Sequence, residues 1–299
     1  MKISYSMRQA TKQCPKKVYW KYFCGIEQRR FKTPSMLIGS AFHLGLETIR
    51  RYNDMDLAIQ TARAALTHSG DFEWENEVAK QENLAKIEVY LLCYESHYFD
   101  QMKNWAGIEK EIITETETAY IDGLLIDQHD GAYVIVEDKT RSFPSRDPHL
   151  TQKMSDQLLN YCDLLEQIGI QARRCFYRET IKSRLRINSR NPQSELRRKL
   201  FEEYSIGDKF VETVITFDKS DIENYKKEKR FYDDYIDRLF SLGSKDPWPR
   251  SSDFCHNAYG HCEFLKLCTG CKNVNEHYKV NDKEPHDDGL MRQKLGVTE

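Results

Sequence analysis

Long apolar runs are missing from this 299-residue chain: no stretch approaches the roughly 18–20 uninterrupted apolar residues that a membrane span needs. The N-terminal segment MKISYSMRQATKQCPKK lacks an apolar h-region, so it does not read as a secretory signal and a cytoplasmic protein is expected. Internal repeats are absent, which excludes a solenoid or array. An excess of one sign of charge is lacking too. The net charge of −2 argues neither for nor against a nucleic-acid partner. Its distribution says more. Between Arg8 and Lys32 there are eight Lys/Arg against one acid, Glu27, and between Arg173 and Lys199 ten against two, Glu179 and Glu195. Such stretches can follow a phosphate backbone, or they can be the solvated faces of charged helices.

With 39% hydrophobic and 31% charged residues, the composition is that of a soluble globular protein able to bury a substantial core. Apolar positions at helical spacing predict a helix over 6–30, through Val18, Tyr19, Tyr22, Phe23 and Ile26. Thr33-Pro34-Ser35 breaks it and offers an N-cap to a second helix through GSAFHLGLETIRRY. Helical patterning continues over about 55–104. From about 109 the chain turns β-branched and partly alternating, EKEIITETETAYIDGLLID, which reads as one or two strands. HDG at 129–131 signals a turn before the strand AYVIVEDKT. A helix (151–168), a strand (ARRCFYRETIK), a charged excursion (183–208), a strand (FVETVITF) and a helix from Asp221 to about Leu242 follow. This order predicts a mixed α/β core flanked by helices.

The hairpin carries the candidate chemistry. Glu137 and Lys139 are two apart and share a face of their strand. A two-residue turn at Asp130-Gly131 sets Asp122 opposite Lys139, and a four-residue loop at 128–131 sets it opposite Glu137. Either way three side chains converge, whereas an odd loop turns Asp122 away unless a bulge corrects it. Two carboxylates can hold hard divalent cations, which polarise a phosphate and activate water. A neighbouring lysine can orient that water and neutralise transition-state charge. Asp127 is the rival acid on the same arm. Gly39, His43 and Glu47 lie at intervals of four on one helix, and so do Gln157 and Tyr161 on another.

Nine cysteines are many for a protein of a reducing compartment, and clustered ones there read as metal ligands. Cys255, Cys262, Cys268 and Cys271 fall within one short segment. Zinc could use these four, or borrow His256 or His261. A 4Fe–4S cluster needs four thiolates.

Taken in order, Cys14-Pro15, GSAFHLGLE (39–47), Asp122-Gly123, VEDKT (136–140), QLLNY (157–161) and C-x6-C-x5-C at Cys255, Cys262 and Cys268 resemble the PD-(D/E)XK nuclease superfamily. The resemblance is to its RecB-like branch, which includes iron–sulfur exonucleases of phages, CRISPR adaptation modules and helicase–nuclease complexes. It spans about residues 6–271, with Ile121 standing where the nominal motif has proline. It implies a restriction-endonuclease-like α/β fold, with an N-terminal helical region and a C-terminal cysteine-rich segment. A single nuclease domain over 1–271 is expected, with a helical insertion at about 55–108, a cluster segment at 255–271 closing onto Cys14, and a polar tail at 272–299.

The resemblance further implies that Asp122, Glu137, His43 and the carbonyl of Asp138 would hold Mg²⁺ or Mn²⁺. Lys139 would be the catalytic lysine, with Gln157 and Tyr161 positioning their helix near the scissile strand and contacting DNA. Cys14, Cys255, Cys262 and Cys268 would carry a structural 4Fe–4S cluster, with zinc as the alternative metal and Cys271 a spare or a substitute. Cys24, which has no following proline, is the weaker N-terminal partner. The implied activity is DNA exonuclease action at single-stranded or free ends, in host cytoplasm if the gene is a phage's. The alternative is a DNA-binding or processing subunit of a recombination or CRISPR-adaptation assembly. No membrane partner is expected.

Overall fold

A computed structural model of the protein describes residues 3–29, 33–68, 74–98, 101, 104–115, 117–188, 192–243, 248–257, 260–270 and 273–280. The chain divides into two compact units. One comprises residues 1–30, 115–118 and 223–299, and the other 31–114 and 119–222.

The first unit begins with α1 (Tyr5–Gln13), whose N-cap Ser4 accepts a hydrogen bond from the Met7 amide. Cys14 is extended, and Pro15 opens α2 (Pro15–Val18), followed by a π-helical turn over 19–23. The unbroken helix expected over 6–30 therefore does not form. Proline lacks the N–H that would continue the ladder but is well suited to a first turn. Gly25, at φ 63°, then turns the chain into β1 (Ile26–Gln28), which pairs antiparallel with residues 278–280. That partner lies about 250 positions away, so no local pattern discloses it.

The second unit starts with α3 (Pro34–Tyr52), capped by Thr33, whose hydroxyl accepts from the Met36 amide as the Thr-Pro-Ser signal predicts. Next come α4 (Met55–Thr67) and α5 (Glu77–Tyr98). These occupy the region expected to be an insertion, yet α5 is integral to the core. Its Tyr90 and Tyr94 are fully buried with Phe42 of α3 and Leu200 and Tyr204 further on.

Five strands follow: β2 (Trp105–Ile113), β3 (Thr118–Ile126), β4 (Tyr133–Arg141), β5 (Ala172–Ile181) and β6 (Phe210–Thr216). They form one sheet in the order β2-β3-β4-β5-β6. The β3/β4 and β5/β6 pairs are antiparallel and β4/β5 is parallel. The parallel crossover runs through α6 (Pro148–Lys153) and α7 (Asp156–Gln167), as a parallel pair requires. Central β4 buries Val134, Ile135, Val136, Glu137 and Asp138. The charged excursion expected over 183–208 contains α8 (Gln193–Ser205). Its buried Leu196, Leu200 and Tyr204 recur every fourth residue among the charges.

α9 (Lys219–Leu242) leads back to the first unit. There β7 (His256–Asn257), β8 (Gly260–His261), α10 (Leu265–Cys268), α11 (Val274–His277) and β9 (Tyr278–Val280) complete the fold. Tyr19, Trp20, Phe23, Trp248, Phe264 and Tyr278 form an aromatic core with Val18 and Ile26. Residues 274–280, expected to begin the polar tail, are folded because Val274 and Tyr278 are buried in that core. Cys271 and residues 281–299 lie outside the described residues. No helix among the described residues is long and apolar enough to cross a membrane.

Candidate active site

The β3–β4 register decides where the acids fall. Gly123 pairs with Val136 and Ile126 with Tyr133, so continuing the ladder by one residue sets Asp122 opposite Glu137. This is the register of the four-residue loop. The Asp127 amide donates to the Ala132 carbonyl at 2.9 Å, and Gly131, at φ 70°, accommodates the left-handed turn residue. Asp127 itself accepts from the His129 amide and pairs with Arg174, so it closes the turn and does not join the other acids. Gly123 has no room for a side chain, because a Cβ there would meet the Trp105 ring at 2.3 Å.

α3 passes across the sheet at Gly39, where a Cβ would stand 3.3 Å from the Thr140 hydroxyl. One turn on, His43 presents Nδ1 at 3.6 Å from Asp122 Oδ2. Glu109 of β2 completes the group: one donor atom each from His43, Glu109 and Asp122 lies within 4.8 Å of the others. Glu109 was not singled out in the sequence. It is one of four acids between 109 and 117, and nothing local distinguishes it from Glu111, Glu115 or Glu117. Its backbone is unusual for a strand, with φ 41° in the left-handed region, a strained conformation that concentrates at functional sites. Burial, then the charges of Asp122 and Glu47, push its carboxyl up to about 7.

Glu137 is 1% exposed. Its Oε1 takes the ammonium of Lys139 and the amide of Gln157, the latter at 3.0 Å. Gln157 spends its second N–H on the Tyr161 hydroxyl at 2.7 Å, so the two residues one turn apart on α7 act together on Glu137. Glu137 Oε2 is buried with no hydrogen-bond partner. Burial and the neighbouring Asp122 charge push the Glu137 carboxyl well up, against the pull of Lys139. Burial disfavours the Lys139 ammonium, but Glu137 and Asp122 hold it above its ordinary value.

The next residue on the strand is managed in the opposite way. The Asp138 amide donates to Asp122 Oδ2 at 2.9 Å, fixing that side chain. Its own carboxylate points to the other face and is fully compensated. Arg50 donates to Oδ2 at 2.6 Å and the Tyr94 hydroxyl to Oδ1 at 2.6 Å. Burial alone would raise the Asp138 carboxyl, but Arg50 and Arg178 hold it below the ordinary aspartate value. Arg50 also reaches the Asp122 carbonyl at 3.4 Å and lies under the Trp105 ring at 4.6 Å. Arg50, Tyr94 and Arg178 were not expected from the sequence. A signal for Arg50 existed, since it falls seven residues after His43 and so shares its helix face.

This donor set suits a hard divalent cation. Carboxylate oxygens of Glu109 and Asp122 converge with one imidazole, near a buried carboxylate oxygen of Glu137 that has no hydrogen-bond partner.

In the other unit, Cys14, Cys255, Cys262 and Cys268 all line one cavity of about 300 Å³. Sulfur atoms there already accept hydrogen bonds: Trp20 Nε1 donates to Cys268 Sγ at 3.3 Å and the Ser251 amide to Cys14 Sγ at 3.4 Å. Cys24 is fully buried in the aromatic core and does not line the cavity.

A mixed sheet flanked by helices, whose central hairpin brings Asp122, Glu137 and Lys139 together beside His43 of a helix, is a restriction-endonuclease-like fold. The chain belongs to the PD-(D/E)XK nuclease superfamily, whose family model matches residues 2–269. Among solved structures, a "putative exonuclease" from Eubacterium rectale superposes with a TM-score of 0.50 at 11% identity, covering 85% of each chain. LHK-Exo in complex with dAMP gives a TM-score of 0.29 at 14% identity over 68% of this chain and 93% of that one. The protein SSO0001 gives 0.27 at 11% identity over 77% and 84%. The first of these likenesses speaks to the fold alone, and the other two add nothing to it. No curated protein matches the chain in sequence.

Proposed function

We propose that this protein is a DNA exonuclease, acting at single-stranded ends with Mg²⁺ or Mn²⁺, whose cysteine-bearing unit carries a structural 4Fe–4S cluster. The observation that carries the catalytic reading is the convergence of His43, Glu109 and Asp122 beside Glu137, whose Oε2 has no protein partner. These residues, with the Asp138 carbonyl, would hold the cation. A divalent ion there supplies Lewis-acid polarisation of the phosphate and lowers the pKa of water.

The chain's own groups do the rest. Lys139, half-open at 35% side-chain exposure, keeps its proton because Glu137 and Asp122 favour the ammonium. It orients the attacking water and neutralises charge that develops on the phosphoryl oxygens. Gln157 holds Glu137 in one rotamer through Oε1 and leaves Oε2 for the cation. The Asp138 amide does the same for Asp122.

The test is release of nucleotides from single- and double-stranded DNA labelled at either end, with Mg²⁺, Mn²⁺ or chelator. Metal-dependent release of mononucleotides or short products from one labelled end, faster on single strands, is expected. Internal nicking of closed circles at the same rate would overturn the exonuclease assignment.

For the cysteine site, the carrying observation is that all four thiols line one cavity and that N–H groups already point at two of the sulfurs. Such hydrogen bonds are a usual means of stabilising cluster thiolates. Zinc is the second reading, since His256 lines the same cavity. Iron and acid-labile sulfide in anaerobically purified protein, lost in Cys255→Ser, are expected. Stoichiometric zinc without iron would favour the second reading.

A further inference from the structure

A second cleft, of about 660 Å³, opens beside the C-terminal ends of β4 and β5, and none of the residues of the candidate active site lines it. Ser35 in the first turn of α3, Ser142 just past β4, and Lys182 and Arg184 just past β5 form much of its wall. The two strand ends are tied by the Lys182 amide, which donates to the Arg141 carbonyl at 2.7 Å. α3 connects this cleft to the candidate active site. Ser35 and His43 are eight residues apart, about 12 Å along a helix axis at 1.5 Å per residue.

Among the described residues, the cations of the cleft outnumber the carboxylates that answer them. Lys86 and Arg186 share Glu82, at 3.9 and 3.3 Å. Lys182 and Arg184 have no carboxylate partner among the described residues. Lys182 donates to the Ser35 hydroxyl, and the Arg184 guanidinium stacks 4.3 Å over the ring of Phe143. Glu75 is the acid that reaches the wall. Burial lowers the Lys182 ammonium below its ordinary value, with nothing opposing it. Half of the ten cations in the basic run from Arg173 to Lys199 are paired elsewhere. Arg174 pairs with Asp127 and Asp130, Arg178 with Glu212, Arg197 with Glu88, and Arg198 and Lys199 with Glu195 and Glu202. Among the described residues, Lys182 and Arg184 remain in the cleft without a carboxylate, and the Phe143 ring beside Arg184 is 65% exposed.

Unpaired cations beside an exposed aromatic face are the elements of a single-strand binding site, where phosphates meet the charges and a base stacks on the ring. We propose that Lys182 and Arg184 bind phosphate of the substrate strand and Phe143 stacks one of its bases, a few nucleotides from the bond that is cut. This rests on the nuclease reading and extends it to the path of the strand. The phosphate can be an internal diester or a terminal 5′-monoester, which share this chemistry.

Binding in EDTA separates this inference from catalysis. Fluorescence anisotropy with a 20-nucleotide oligothymidylate, labelled at its 3′ end and carrying either a 5′-hydroxyl or a 5′-phosphate, is compared across variants over a range of salt. Lys182→Gln/Arg184→Gln is expected to weaken binding at least tenfold. It should also flatten the slope of log K against log salt by about 1.4, roughly 0.7 per phosphate contact on a single strand. Phe143→Ala is expected to weaken it by about tenfold, within the range for one stacked base. Arg198→Gln removes a cation elsewhere in the same basic run and is expected to bind as the wild type does. Arg184 and Phe143 are exposed, so Arg184→Gln and Phe143→Ala alone test the idea if the double variant folds poorly. Equal losses on both oligonucleotides assign the contact to an internal diester, and a loss confined to the 5′-phosphate form assigns it to the terminus. Variants that bind both within twofold of wild type, with an unchanged salt slope, overturn the inference, as does a wild type that binds neither. Absence of cleavage by a wild type that binds through these residues would fault the nuclease reading alone.

Discussion

Glu137 and Asp138 are neighbours on β4, both 1% exposed, and the protein treats them in opposite ways. They point to opposite faces because a strand alternates its side chains. On one face Asp138 meets Arg50, Tyr94 and Arg178, and its charge is fully answered. On the other, Glu137 stands beside Asp122 and a single lysine, with one oxygen left without a hydrogen-bond partner. Burial costs both carboxylates alike, so the difference lies in the partners. A compensated buried charge is a fixture of the fold. A buried carboxylate with one oxygen left without a partner is where a cation from outside would complete the site.

The largest effect should come from breaking the compensated face. Arg50→Ala breaks the buried ion pair of Asp138 and leaves that carboxylate to Tyr94 and Arg178, which costs about 3 kcal/mol, at the low end for a broken buried pair. Urea denaturation should register a loss of that size. Cleavage should fall with it, because Asp122 and Asp138 then lose their shared support.

Next in size is the open face. Lys139→Ala should lower cleavage by roughly 10²–10³-fold, the usual cost of removing one preorganised charge-stabilising donor. Its melting temperature near pH 7 should stay within a few degrees of wild type, since the lysine is partly exposed and Glu137, already raised, takes up a proton when its cation is removed. A comparable loss of stability in this variant would erase the contrast between the two faces.

Glu137→Gln sharpens the comparison by pulling activity and stability apart. The amide keeps the shape but removes a charge that folding disfavours. The metal-free variant at pH 8 should therefore melt at a higher temperature than wild type, while cleavage is lost.

How much of this was legible beforehand differs between the two faces. Glu137 and Lys139 share a face by strand alternation alone, and the HDG turn narrowed the position of Asp122 to two registers. Cys14 and the C-terminal cysteines were legible through an ordered motif set. Glu109 was not, because its place depends on β2 bringing one of four similar acids to Asp122 through an unusual φ. The compensated face was hidden for another reason. Arg50 reads as an ordinary charge at a helix end, and only the packing of α3, α5 and β5 brings it to Asp138 with Tyr94 and Arg178. Likewise the β1–β9 pairing and the buried face of α8 depend on distant partners and on three apolar residues in a charged run.

The smallest predicted effect is on pH dependence. Glu109 has an ordinary value near 4.5 and is raised to about 7 in the folded protein. Between those values the folded state binds more protons than the unfolded one, so stability is fully present below about 4.5 and is lost as pH rises through 7. Glu137 acts in the same direction. The metal-free protein should thus melt at slightly lower temperature at pH 8 than at pH 5.5. Added Mn²⁺ should raise the melting temperature more at pH 8, where the carboxylates are free of protons.

The most direct test of the open face is single-turnover cleavage of end-labelled single-stranded DNA in Mn²⁺ by wild type and Asp122→Asn, with thermal melts of both. A cation held by this face predicts a rate at least about 100-fold lower in the variant, comparable in size to the loss of one electrostatic donor, and a melting temperature that does not fall. Rates within twofold of each other, in a variant that folds as wild type does, would contradict it.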